Sequence, residues 1–241
     1  MKKIMVLGGS GATGSLVVNR LLNSGFDVVL IVRSKSRLSN DVLERAEVIE
    51  GEISSYSDHQ LESALQGCDA CVSCLGHNIT LSGMFGRPRY LVTEVIKKLI
   101  RVKKSTNLKP FKFVLMSSSG VQNQMIVEHP PLSQRLVVSM LRLLLPPHRD
   151  NEHAAAELMN NHKLHLSSLE WVVIRPDTLI DKPEVTPIQE YESPVRNVIF
   201  NAGHTSRVNV AEFMYRLLTE EALWTLWKFK MSVIYDVDGL E

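Results

Sequence analysis

The seven residues Gly8-Gly9-Ser10-Gly11-Ala12-Thr13-Gly14 lie between the apolar run Ile4 to Leu7 and the amphipathic stretch Ser15 to Leu22. A turn of this kind from a buried strand into a helix can bind phosphate. Glycines at 8, 11 and 14 let the backbone approach a pyrophosphate, whose charge then rests on unpaired amides at the positive end of the helix. Gly8, Ser10, Gly11, Ala12, Thr13 and Gly14 are therefore candidate cofactor-binding residues. A tight turn can want glycine for steric reasons alone, so the surroundings have to decide.

A second apolar run, Asp27 to Val32, ends at Arg33, about 20 residues past the glycines, where a dinucleotide site reads the adenosine ribose. An acidic side chain there would accept hydrogen bonds from the ribose hydroxyls of NAD. Arginine instead offers a planar fork of donors to the 2′-phosphate of NADP. Arg33 and Arg37, with Ser34 and Lys35 between them, thus predict NADP(H) in preference to NAD(H). The competing reading is a solvated basic loop.

A second set of potential ligands leads nowhere. Cys68, Cys71, Cys74 and His77 recur every three residues, like a metal-binding series. The segment 70 to 75 reads as a buried strand, however, in which residues three apart point to opposite faces about 10 Å from each other. They cannot converge on one ion, and no metal site is expected.

The length of 241 residues suits one α/β domain over 1–241, with residues 177–206 as a small substrate-side lobe. Lys and Arg number 27 against 26 Asp and Glu, which argues against nucleic acid or an anionic membrane as partner. The start, Met1-Lys2-Lys3 running straight into a strand, lacks the pattern of a secretory signal. The stretch Leu136 to Leu145 is interrupted by Ser139 and Arg142 and stops at Pro146-Pro147, too short and polar to span a bilayer. With three cysteines, these features predict a cytoplasmic protein.

Positioning the glycine turn requires a sheet. Apolar strand-like runs recur at 2–7, 27–32, 47–50, 70–75, 111–116, 171–174 and 228–235, and helical patterns fill 13–24, 58–66, 88–104, 149–165 and 209–219. The alternation predicts right-handed crossovers and a doubly wound parallel sheet in the order 3-2-1-4-5-6, a Rossmann fold. Ligands of such sheets lie beyond the carboxyl ends of the strands. Here those ends read Gly51-Glu52-Ile53, Gly76-His77-Asn78, Ser117-Ser118-Ser119-Gly120 and Arg175-Pro176-Asp177.

In this order, with Leu169-Glu170-Trp171-Val172-Val173-Ile174-Arg175-Pro176 and Arg207-Val208-Asn209-Val210-Ala211, the motifs resemble the atypical short-chain dehydrogenase/reductases, especially the NmrA-like and biliverdin/flavin reductase-like branches. The resemblance covers most of the chain. It implies that Glu52 stands near the adenine amino group, with Ile53 against the ring. It puts Gly76 at the nicotinamide ribose, with Asn78 either hydrogen-bonding there or simply shaping the turn, and Pro176 with Ser117 beside the nicotinamide. Ser118 and Ser119 become candidate catalytic hydroxyls, able to donate to charge developing on a substrate oxygen. A hydrogen-bonding turn at a strand end is the plainer reading of the serines.

One departure matters. None of the tyrosines at 56, 90, 191, 215 and 235 is followed four residues later by lysine, so the family's Tyr-x-x-x-Lys proton-donating pair is missing. Arg149 and His153 fill the matching slots. His153 is a candidate replacement because imidazole titrates near neutrality. Asp150 reads as a helix N-cap or an acid, and Asp177 as a pocket residue or a solvated loop carboxylate. His148, His162 and His165 belong to no constellation at this level. Two functions follow: an NADPH-dependent reductase of flavins, quinones, biliverdin-like compounds or carbonyls, or a non-catalytic NADP-sensing regulator that binds a protein partner.

Overall fold

The computed structural model describes residues 2–76, 89–105, 110–163 and 168–240. Strands β1 (Lys3–Leu7), β2 (Asp27–Val32), β3 (Glu47–Glu50), β4 (Ala70–Ser73), β5 (Phe111–Met116) and β6 (Leu169–Pro176) are followed by β7 (Thr178–Ile180), β8 (Ile188–Tyr191), β9 (His204–Ser206) and β10 (Lys230–Asp236). The helices are α1 (Ala12–Asn23), α2 (Asn40–Arg45), α3 (Asp58–Ala64), α4 (Leu91–Ser105), α5 (Leu132–Leu144), α6 (Pro146–Lys163), α7 (Arg207–Thr219) and α8 (Glu221–Trp227).

The main sheet runs β3-β2-β1-β4-β5-β6-β10-β8. Its first seven strands are mutually parallel and β8 pairs antiparallel with β10. The expected 3-2-1-4-5-6 order is thus present, and the fold is Rossmann-like. Continuous apolar runs such as Val28 to Val32 belong to strands covered on both faces. Alternation splits the core in two. Ile4 and Val6 face α1 and α7, whereas Met5 and Leu7 face α3, α4 and α6. Cys74 falls in the first layer and Cys71 in the second, so the two cannot share an ion.

Side chains cap several helices, Ser39 accepting from Val42 N–H at α2. Ser57 and Gln60 form a reciprocal capping box at α3, and Ser206 accepts from Asn209 N–H at α7. The cap of α4 comes from another helix. Buried Asp150 of α6 accepts from Val92 N–H at 2.8 Å, Thr93 N–H at 2.9 Å and Thr93 Oγ1 at 2.6 Å. Asp150 is therefore a buried cap of α4, not the cap of its own helix.

Residues 177–206 consist of loops and short strands. They supply β7 and β9, which pair with each other, while β8 joins the main sheet through β10. Helix α5 and the short α2 and α8 were not anticipated. No helix among the described residues is long and apolar enough to cross a membrane.

Candidate functional site

The glycine turn is built as a cradle. Gly8 has φ +76°, and a Cβ on it would come within 2.5 Å of the Cys74 carbonyl oxygen. A Cβ on Gly14 would fall onto the Gly8 carbonyl, 2.8 Å from its carbon. Both positions exclude side chains because backbone passes there. Gly11 is the N-cap of α1 without any side-chain cap, so no side chain covers the amides of the first turn. The first turn carries no acidic residue to oppose an anion. Ala12 is exposed and Ser10 half-buried beside these amides, while Thr13 is buried. The arrangement fits the pyrophosphate of a dinucleotide, as the sequence leads one to expect.

Arg33 and Arg37 are exposed just past β2, and among the described residues neither side chain makes a hydrogen bond or ion pair. Their donors remain open to a ligand. At the next strand end Glu52 is exposed and its carbonyl accepts from Ser55 N–H at 2.9 Å. Ile53 beneath it is only 7 % exposed and packs among Met5, Leu7 and Ile31. It forms the floor of this strand end. Gly76 is exposed, and a Cβ there would meet nothing within 4 Å. Asn78 lies outside the described residues.

The three serines after β5 have separate environments. Ser117 N–H donates to Ile174 O at 2.7 Å, and its buried Oγ has no hydrogen-bond partner among the described residues. Ser118 Oγ accepts from Gly120 N–H at 3.2 Å, which leaves its own hydrogen to donate. Ser119 N–H donates to Pro176 O at 3.0 Å, and its Oγ donates to Asp177 Oδ1 at 3.1 Å. That hydroxyl is engaged in the fold, whereas the Ser118 hydroxyl, which accepts from Gly120, donates to no group among the described residues.

Asp177 is 6 % exposed, so it is not a solvated loop carboxylate. It also accepts from Thr178 N–H at 2.9 Å and Gly203 N–H at 3.0 Å, tying β6 to the turn before β9. Burial outweighs these hydrogen bonds and holds its carboxyl above the usual range. A raised folded value means the fold binds the proton more tightly than the unfolded chain. Stability at this site therefore rises as pH falls through the folded value toward 3.8. The unfolding free energy of the wild type relative to Asp177→Asn is expected to increase between pH 7 and 4. Urea titrations along that range check it, and a constant difference would refute the linkage.

His153 is exposed and meets Tyr90 of the chain just before α4 edge to face, ring centroids 5.5 Å apart. The structure records no contact between His153 and the serines. His148 is the histidine near them. Its Cε1 and Nδ1 lie 3.4 and 3.9 Å from the point where a Gly120 Cβ would sit, and Ser118 Oγ lies 3.5 Å from the same point.

A cavity of about 580 Å³ opens beside Gly120. Its walls are the 127–131 loop, Gln134, Arg135, Val138 and Arg142 of α5, and the segment 193–197. This volume suits a small organic molecule. The segment after Pro176 was expected to hold substrate, whereas the α5 wall was missed. Positions 134, 135, 138 and 142 recur at helical spacing and are the signal that could have found it.

Arg175, fully buried at the end of β6, organises the cavity walls. Its Nη1 donates to Val121 O and to Glu128 Oε1, both at 2.8 Å, and its Nη2 donates to Glu192 O at 2.6 Å. Glu128 in turn accepts from Asn123 N–H at 3.0 Å. Elsewhere, His204, Asp236 and Asp238 approach one another, but the Lys182 ammonium sits 2.9 Å from Asp236 and 2.7 Å from Asp238. That cluster already holds its cation.

A model of the family described as NAD(P)H-binding matches residues 8–221. A curated relative, the decarboxylating sterol-4-alpha-carboxylate 3-dehydrogenase of Dictyostelium discoideum, is 24% identical over 143 residues, 56% of this chain and 43% of that protein. The match thus spans less than half of that relative's length. Among solved structures, a wide-type short-chain dehydrogenase/reductase from Veillonella parvula in complex with NADP superposes with a TM-score of 0.70 at 19% identity, covering 98% of this chain and 95% of that one. ChuY, an anaerobilin reductase from Escherichia coli, gives 0.69 at 16% identity and 98% coverage of both chains. At these identities the structures speak for the fold.

Proposed function

Because the chain belongs to the NAD(P)H-binding family, we propose that it is an NADPH-dependent reductase that passes hydride to a small planar or carbonyl acceptor held in the cavity beside Gly120. The observation that carries this reading is an intact phosphate cradle after β1 and a substrate-sized cavity after β5, both at the carboxyl ends of parallel strands with β4 between them. Gly8 to Gly14 would hold the pyrophosphate, Arg33 and Arg37 the 2′-phosphate, and Glu52 the adenine. Bound NADPH supplies the hydride. The protein positions the acceptor and excludes water.

NADP is preferred to NAD on the strength of Arg33, an unengaged arginine where NAD-binding sites carry an acid. A hydrogen bond to a charged group is worth about 1.5 to 3 kcal/mol, so Arg33→Ala is expected to weaken NADPH about ten- to hundredfold. NADH affinity should hardly change. Calorimetric titration of both cofactors checks it. Equal affinities, indifferent to the substitution, would remove the NADP assignment.

The second reading, an NADP-sensing regulator with a protein partner, draws on the missing Tyr-x-x-x-Lys pair. Assays of NADPH oxidation with FMN, menadione and diacetyl separate the two. Turnover with any of them supports the reductase. Tight NADPH binding without turnover supports the regulator.

A further inference from the structure

Along α4 the buried stripe Val92, Ile96 and Leu99 continues into Lys103, a lysine where the helical period calls for an apolar side chain. Lys103 is only 7% exposed, and among the described residues its ammonium makes no hydrogen bond and no ion pair. Its Nζ lies over the Phe111 ring, 3.8 Å from the centroid. A ring face attracts a cation without balancing its charge. The thiols nearby add no anion, since burial pushes Cys68 up to about 11 and pushes Cys71 up as well. Burial likewise draws the Lys103 ammonium below its ordinary value. A buried charge of this kind is costly unless something pairs with it.

There is room for a partner from outside the chain. Lys103 and Phe111 line a cavity of about 1010 Å³ at the amino ends of β4 and β5, whose wall also takes Leu65 and Cys68 from the chain before β4 and Leu218 from the end of α7. The other buried lysine on this wall is satisfied: Lys112 Nζ lies 2.9 Å from Glu221. Asp69 accepts from the N–H groups of Lys2 at 2.6 Å and Lys3 at 3.2 Å, while His59 and Glu62 are exposed. Among the described residues Lys103 is thus the buried charge of the wall left without a counter-ion. The six residues of β5, about 20 Å of strand, separate this cavity from the serine turn. It shares no lining residue with the cavity beside Gly120.

We propose that this cavity is a second ligand site, taking a small monocarboxylate with a hydrophobic body, its head on the Lys103 ammonium and its body against Phe111, Leu65 and Leu218. One positive charge balances one negative head, whereas Glu62 and Asp69 on the same wall repel a ligand of higher charge. The apolar side chains suit a ring or a short hydrocarbon chain better than a sugar or a free phosphate. The site stands independently of the reductase reading, because no residue of the glycine cradle takes part in it.

The probe is 2-naphthoate, with 2-naphthamide as its neutral counterpart, titrated into the full chain and followed by amide proton–nitrogen correlation spectra. Naphthoate is expected to shift the amides of Cys68, Phe111 and Thr219 and to leave those of Gly8 to Gly14 in place. Naphthamide should bind at least about tenfold more weakly, as befits the loss of a charge-assisted hydrogen bond. Absence of saturable shifts, shifts gathered at the glycine turn or at Gly120, or equal affinities for the two probes would each overturn the site.

Lys103→Met keeps a stem of similar length and removes the charge. It is expected to weaken naphthoate about ten- to hundredfold, to leave naphthamide unchanged and to raise the Tm of the free protein, since an uncompensated buried charge is gone. Lys104→Met, at the exposed neighbour, is the control and should change none of these. A lower Tm for Lys103→Met than for the wild type would mean that the ammonium already has a partner. Unchanged naphthoate affinity would mean that Lys103 does not receive the head, and either result refutes the proposal. NADPH affinity should stay at the wild-type value in both variants, so failure of this site leaves the reductase reading standing.

Discussion

Replacing Arg175 with methionine is expected to destabilise the protein by about 3 to 5 kcal/mol, the cost typical of breaking a buried ion pair from one side. Methionine nearly fills the volume but leaves Glu128, whose side chain is 8% exposed, as an uncompensated buried anion. It also strips the carbonyls of Val121 and Glu192 of their donor, and a buried group left unpaired costs about 1 to 3 kcal/mol. For a chain of this size each kcal/mol moves Tm by about 2 to 4 °C, so a drop of roughly 6 to 20 °C is expected by calorimetry or circular dichroism. Adding Glu128→Gln should recover part of the loss, because the stranded charge is then gone. A drop under 2 °C would mean that Arg175 does not hold these segments together. The consequence for function is local. Glu128 and Ser193 line the cavity, so its walls should loosen while the glycine cradle after β1, two strands from β5 in the sheet, keeps its affinity for NADPH.

Gly14→Ala should act at the cradle itself. The added methyl collides with the Gly8 carbonyl, a backbone group fixed from the other side by Gly11 N–H at 3.0 Å and by the chain at Cys74. Overpacking of this kind costs about 1 to 3 kcal/mol, and relief requires the turn to open. The amides then leave the positions that receive phosphate, and NADPH affinity should fall at least about tenfold, beyond any change in Tm. Gly25→Ala is the control. Gly25 has φ +79° but nothing within 4 Å of its added methyl, so it should lose stability through backbone strain without altering NADPH binding. Equal NADPH affinities in calorimetry for wild type and Gly14→Ala would mean that the dinucleotide does not sit on this turn.

The parts of the fold visible in the sequence are those where local chemistry and tertiary environment agree. Strands β2, β3 and β5 have the bounds read from the sequence; in β2 the run is continuously apolar because a parallel strand covered on both faces must be, and in the edge strand β3 the apolar pair Val48-Ile49 lies between exposed glutamates. Helix α5 was hidden by the opposite situation. Leu132, Leu136, Met140 and Leu144 are exposed, and the residues turned to the cavity include Gln134, Arg135 and Arg142. An apolar stripe facing solvent defeats the rule that the apolar face marks the core.

Sequence alone determined the glycine cradle, the strand order around it and the arginine after β2, because each depends on neighbours within a few residues or on a repeating βαβ unit. Only the tertiary structure decided which serine is free and which histidine stands near it. Ser119 is engaged by Asp177, 58 residues away, and His148 approaches Gly120 across 28 positions that include α5. It likewise turned Asp150 into the cap of a helix 57 or more residues earlier and joined Arg175 to two separate walls of a cavity. A lone side chain in the sequence carries no record of such partners, since burial and hydrogen bonding between distant segments arise only when the sheet brings its strand ends together.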